Sequence, residues 1–96
     1  MEAKFKEITG LDFQKYRLDM EKKMFWYMVT RYIGVKRGVE QSSKITTEII
    51  NETFEEALEK IEKWNKKRAT LNTWVLNIAI KLASRRGYMK RIYKKI

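Results

Sequence analysis

The groups that could do chemistry in this chain are cations, amides and carboxylates, because it contains no histidine and no cysteine. Disulfides, thiolate metal sites, cysteine nucleophiles and histidine-based proton transfer are thereby excluded. Ser42, Ser43 and Ser84 have no histidine to activate them, and no G-x-x-x-x-G-K-[ST] phosphate loop occurs. Glu48/Glu52 and Glu55/Glu59 stand four residues apart. Such pairs hold a divalent ion only weakly, since nothing completes a coordination sphere. No catalytic set, metal site or cofactor is expected, and the chain reads as a binding protein rather than an enzyme.

Two clusters remain. The first is Asn65-Lys66-Lys67-Arg68, followed closely by Asn72. Basic side chains and helix N-termini bind phosphates, and amides read base edges. Cations with polar and aromatic groups are also what a single-strand groove requires. The plain alternative is a solvated loop. Arg85, Arg86, Lys90 and Arg91 continue the positive charge and suit phosphate contacts, or else simple solvation. The second cluster is Glu48, Glu52, Glu55, Glu56, Glu59 and Glu62, which reads first as a solvated helix face.

The charge is distributed unevenly. Net charge is +10, yet all twelve acids precede residue 63, together with half of the twenty-two lysines and arginines. The other half lie in residues 63–96 with no acid among them. A basic segment of that kind repels itself unless a polyanion is close, which points to nucleic acid. A solubilising tail and a membrane-surface role are the alternatives, the latter resting on Met89, Ile92, Tyr93 and Ile96. Apolar residues make up 44% of the chain, which supports a small core. No apolar run approaches the roughly 18 residues of a membrane span, and the charged N-terminus has no signal-like apolar stretch. A cytoplasmic location without membrane association is expected.

Three helices must position these groups. There is no proline and there are only four glycines, which argues against an all-β fold. Over residues 11–33, Phe13, Tyr16, Met20, Met24, Tyr27 and Met28 recur at helical steps. The run Met24 to Val29 is apolar all round, so it is buried on every side or meets a partner. Gly34 suits a C-cap, and residues 35–44 read as a loop with Gly38 and Ser42-Ser43 as turn and cap residues. Over 45–64, Ile45, Ile49, Phe54, Ala57, Leu58, Ile61 and Trp64 form one stripe. Thr70 caps a third helix over 70–86 with Leu71, Trp74, Val75, Ile78 and Leu82 inward. Trp74 and Trp64 therefore read as packing residues before stacking ones. Tyr88 and Tyr93 either stack or pack. A basic tail covers 87–96. The expected fold is one all-α domain, a three-helix bundle with room for a short extra N-terminal helix.

Residues 48–82 resemble region 2 of bacterial sigma factors, most closely the extracytoplasmic-function (ECF) group. The likeness is carried by Glu52-Thr53-Phe54 with Ala57 in one helix, a basic loop, then Trp74, Ile78-Ala79 and Leu82 in the next. The weaker likeness extends over about 11–93. It implies a transcription-initiation module that binds core RNA polymerase and the minus-ten promoter element as an unstacked non-template strand. By resemblance, Glu48, Asn51, Glu52 and Glu55 meet the clamp helices of the largest polymerase subunit. The loop from Asn65 to Leu71, including Lys66, Lys67 and Arg68, holds a flipped base. Asn72, Trp74, Asn77, Lys81, Arg85 and Arg86 line the strand.

This sequence also departs from the family. Asn51 replaces the usual glutamine, and Ala83-Ser84-Arg85-Arg86 lacks the common aspartate. Asn77 and Ile78 stand where primary sigma factors carry a duplex-melting tryptophan pair. The minus-thirty-five reader would need about 60 further residues. The chain is therefore either an excised domain or a stand-alone region 2 with region 4 supplied by a second chain. An anti-sigma factor is a further expected partner. Two rivals stand beside this reading: a polymerase-binding adaptor that reads no DNA, and a generic basic helical nucleic-acid-binding protein.

Overall fold

The all-α bundle expected from the periodicity is the fold that forms. In a computed structural model, which describes residues 1–34 and 38–87, the helices are α1 (Glu2–Thr9), α2 (Phe13–Met28), α3 (Val39–Glu59) and α4 (Leu71–Arg85). A π-helical turn, Val29–Ile33, extends α2, and a 3₁₀ turn, Ile61–Lys63, follows α3. The described residues contain no strand. The expected tail, with Tyr88, Lys90, Arg91 and Tyr93, lies outside the described residues apart from Gly87.

The N-terminal helix exists because Phe5 gives it something to bury. Phe5 is fully buried and meets Phe13 edge-on at 5.1 Å and Tyr16 at 5.6 Å. Gly10 ends α1 at φ +77, a conformation that costs a glycine little. Asp12 then caps α2, its carboxylate accepting from the Lys15 N–H at 3.1 Å.

The expected stripe of α2 splits into two grades. Phe13, Met20, Met24 and Met28 are buried, while Tyr16 and Tyr27 are half-buried. The run Met24 to Val29 is not enclosed on every side. Met24 and Met28 enter the core and Trp26 is 68% exposed between them. The Gly34 N–H donates to the Val29 carbonyl at 2.9 Å and closes the widened π turn.

α3 begins six residues earlier than the periodicity suggests. Residues 39–44, read from the sequence as loop, are helical, and residues 35–37 lie outside the described residues. The reason lies in the polar residues of its inner face. Thr46 and Thr53 are fully buried, their hydroxyls donating to the Ser42 and Ile49 carbonyls at 2.7 Å each. Threonine can satisfy its hydroxyl within its own helix, so it can line a core without a distant partner. Ser42 is also buried, and its hydroxyl has no partner among the described residues. It is a packing residue and not a cap; Gly38 occupies the N-cap position.

α3 also ends early. Glu59 is its last residue, so Ile61 and Trp64 fall in the 3₁₀ turn and at its C-cap. Thr70 caps α4 as expected, accepting from the Thr73 N–H at 3.2 Å. Leu71, Val75, Ile78, Ala79, Leu82 and Ala83 are buried. α3 is the central helix, packed on α4, on α2 and on the π turn, while α1 closes one end against α2 and the 3₁₀ turn. Trp74 and Trp64 pack against the core as expected, each half-buried at its edge.

Candidate nucleic-acid interface

The two clusters lie on different elements, the acids on α3 and the 3₁₀ turn, the cations and amides on the loop and α4, and Arg86 links them. Glu48, Asn51 and Glu55 are exposed on α3, with Glu52 half-buried between them. Asn51 accepts from the Arg17 guanidinium at 2.7 Å. That guanidinium also reaches Glu21 at 3.3 Å and lies over the Phe54 ring at 5.3 Å. Arg17 therefore ties α2 to α3 and takes up the Asn51 oxygen. A hollow of about 470 Å³ opens beside it, lined in part by Phe25, Thr47 and Ile50. Nothing in the sequence singles out Arg17, because Asn51 is 34 residues away.

Arg86 is where the two clusters meet. Its guanidinium pairs with Glu48 at 3.5 Å and also with Glu52. A residue expected at a phosphate thus holds two carboxylates expected at a protein partner. Exposed pairs of this kind contribute about 0–1 kcal/mol, so a strong anion or a basic partner can take either side away. Glu55 has no ion pair among the described residues and is the freest acid of the expected set.

The basic loop is a built turn. Asn65 accepts from the Lys67 N–H at 2.9 Å through its side chain, and from the Arg68 N–H at 3.0 Å through its carbonyl. The Trp64 indole N–H donates to the Ala69 carbonyl at 2.9 Å, and Lys66 lies over the Trp64 ring at 5.9 Å. The Asn65 side-chain oxygen is consequently spent on holding the loop. What the loop presents outward is charge: Lys66, Lys67 and Arg68 are all exposed.

Asn72 opens α4 and is exposed, but its oxygen accepts from the Tyr16 hydroxyl at 2.9 Å. Burial pushes the Tyr16 phenol well above its ordinary range, so it stays protonated and keeps donating. The amide NH₂ of Asn72 is the part left for a ligand. It borders a hollow of about 150 Å³ between α2 and α4, lined also by Lys23, Met24, Tyr27 and Leu76. Tyr16 and Lys23 are neighbours of the site that sequence patterning does not mark. Tyr16 sits in the apolar stripe of α2, and Lys23 is one cation among many.

Farther along α4, Asn77, Lys81 and Arg85 are exposed. None makes a side-chain hydrogen bond or an ion pair among the described residues. The expected contact residues therefore fall into two groups. The side chains of Asn51, Asn65, Asn72 and Arg86 have polar atoms engaged within the fold; those of Lys67, Arg68, Asn77, Lys81 and Arg85 make no hydrogen bond or ion pair among the described residues. Among the described residues, no group of three acids could hold a metal, and no helix is long and apolar enough to cross a membrane. Comparison with protein-family models, curated proteins and solved structures returns no match.

Proposed function

We infer that the chain is a two-faced transcription-initiation module of the sigma region 2 type. The acid face of α3 docks on core RNA polymerase through Glu48, Glu52 and Glu55, with Asn51 beside them. The loop and α4 hold an unpaired promoter strand at the minus-ten element. The observation that carries this reading is the division of charge over the folded surface. α3 presents carboxylates outward, while the loop and α4 present Lys66, Lys67, Arg68, Lys81 and Arg85 with no acid from residue 63 onward. Opposite charges on separate elements suit a protein that bridges a basic protein groove and a polyanion.

The base-reading part of the mechanism is narrow. With the Asn72 oxygen held by Tyr16, the free NH₂ can only donate, so it suits an acceptor on a base edge. The loop cations fix the backbone beside it and carry no sequence information. Arg86 adds a coupling: a partner that draws Glu48 and Glu52 away leaves its guanidinium available for a phosphate.

The adaptor reading, without DNA recognition, is favoured by one observation. Asn65, Asn72 and Arg86 all have internal partners. One pair of assays separates the two. Core polymerase is captured on the immobilised chain and on Glu55→Lys, an exposed change that leaves every ion pair described above intact. The same two proteins are titrated with minus-ten single strand. Loss of polymerase with retained strand binding supports the two-faced module. Strand binding absent from both proteins leaves the adaptor, and polymerase capture unchanged by Glu55→Lys removes the acid face from the account.

A further inference from the structure

α4 ends beside the acid face of α3. Arg86, at its C-cap, holds Glu48 at 3.5 Å and also Glu52. The Arg86 and Gly87 N–H groups donate back to the Leu82 and Ser84 carbonyls, and Gly87 takes φ +85. A left-handed residue here turns the chain out of the helical path. Glu48, Glu52, Glu55 and Glu59 follow one another at three- and four-residue steps, so they form one stripe along α3. Arg86 covers the first half of that stripe. Glu55 and Glu59 are exposed and have no ion pair among the described residues.

The part of the chain that leaves this point carries the matching charge. Residues 88–96 contain Lys90, Arg91, Lys94 and Lys95 and no acid. Glu59 stands roughly 10 Å along the axis from Glu52, at about 1.5 Å per residue. Extended chain covers about 3.3 Å per residue, so Lys90 and Arg91 can reach the open half of the stripe. Attachment holds these cations near the stripe at an effective concentration on the order of millimolar, so ion pairs too weak to retain a free peptide suffice. We propose that the acid stripe of α3 is a docking surface for this chain's own segment 88–96, whose cations settle on Glu55 and Glu59 beside the Arg86 pairs. So occupied, the stripe is closed to a basic partner. A single strand offers phosphates to the same four cations and draws the segment away. Strand and basic partner therefore favour each other's binding, although they occupy different elements.

This contact rests on the acid face of the proposed function and adds an internal occupant that gates it. The chain has no cysteine, so Ile96→Cys gives one site for a nitroxide label on the full chain. At low salt the label should broaden the amide resonances of Glu55 and Glu59 more than those of Asp12 and Asp19. Glu55→Lys together with Glu59→Lys should abolish that difference, as should oligothymidylate or salt raised to about 0.5 M. Changing Lys90, Arg91, Lys94 and Lys95 together to Gln should abolish it too, and should tighten capture of core polymerase about threefold. The docking is overturned if the label broadens Glu55 and Glu59 no more than Asp12 and Asp19, if the two Glu→Lys changes leave the difference in place, or if oligothymidylate does not relieve it. Selective broadening with polymerase capture unaltered by the Gln changes overturns the gating. If the broadening follows the substitutions while no form of the chain captures polymerase, the internal contact stands and the proposed function falls. If polymerase is captured through Glu55 and no selective broadening appears, the function stands and the internal contact falls.

Discussion

The loop from Trp64 to Thr70 and the flank of α4 from Trp74 to Arg85 contain the same residue types and use them oppositely. Each has a tryptophan, an asparagine and several cations. In the loop the indole N–H and the asparagine oxygen are consumed by the loop's own backbone. On the flank the corresponding groups of Trp74 and Asn77 have no partner among the described residues. A loop has no repeating hydrogen-bond pattern, so its side chains must satisfy backbone groups that a helix satisfies by itself. The lesson is that an amide in a basic loop is often structural, whereas the same amide on a helix flank is left for a ligand.

Four changes sharpen that contrast, in falling order of effect. Phe54→Ala removes a ring from the core that α2 and α3 share. Phe54 is fully buried, meeting Phe13 at 6.2 Å and Tyr16 at 6.3 Å, with the Arg17 guanidinium over its ring. Deleting the ring should cost about 3–5 kcal/mol in urea denaturation. That is a large share of the 5–15 kcal/mol typical of a whole domain. Trp64→Phe keeps the packing but frees the Ala69 carbonyl. It should cost about 1–2 kcal/mol and increase amide exchange at Arg68 and Ala69. Trp74→Phe breaks no intramolecular bond, and equal costs for the two changes would erase the contrast.

The asparagines make a finer comparison. Asn65→Ala should cost about 0.5–1.5 kcal/mol, because the Lys67 N–H loses its acceptor. Asn77→Ala should stay within about 0.5 kcal/mol in thermal melting, as surface changes without partners do. The smallest effect belongs to Tyr16 and is seen only in alkali. Its folded phenol is held above its ordinary value, so the unfolded chain loses that proton first as pH rises. Tyr16 therefore contributes stability that is complete below about pH 10 and declines above it. Tyr16→Phe should flatten that decline relative to the parent, and parallel alkaline curves would deny the burial of the phenol.

The elements were legible in the sequence wherever large apolar residues kept a helical period. The α2 stripe of Phe13, Met20, Met24 and Met28 and the α4 stripe of Leu71, Val75, Ile78 and Leu82 are of this kind, and Thr70 marked its helix start correctly. The early start of α3 was hidden because Ser42, Thr46 and Thr53 line its inner face as polar residues. Its early end was hidden because Ile61 and Trp64 keep an apolar spacing through a change of backbone. The charged surfaces were legible as composition. Which of their groups are free was not, since Tyr16 meets Asn72 across 56 residues and Arg86 meets Glu52 across 34. Pairings at that range depend on how helices pack, and residue type does not encode them locally.

The central claim is that the acid-free surface holds an unpaired strand. It is tested most directly by titrating the chain with minus-ten oligonucleotide, single-stranded and duplex, over a series of salt concentrations. Four contacts from Lys67, Arg68, Lys81 and Arg85 predict a single-strand log–log salt slope near roughly −3, at about 0.7 for each phosphate neutralised. The account predicts tighter binding of the single strand at every salt concentration with that slope. Duplex binding as tight as single strand, or a slope near zero, would contradict it.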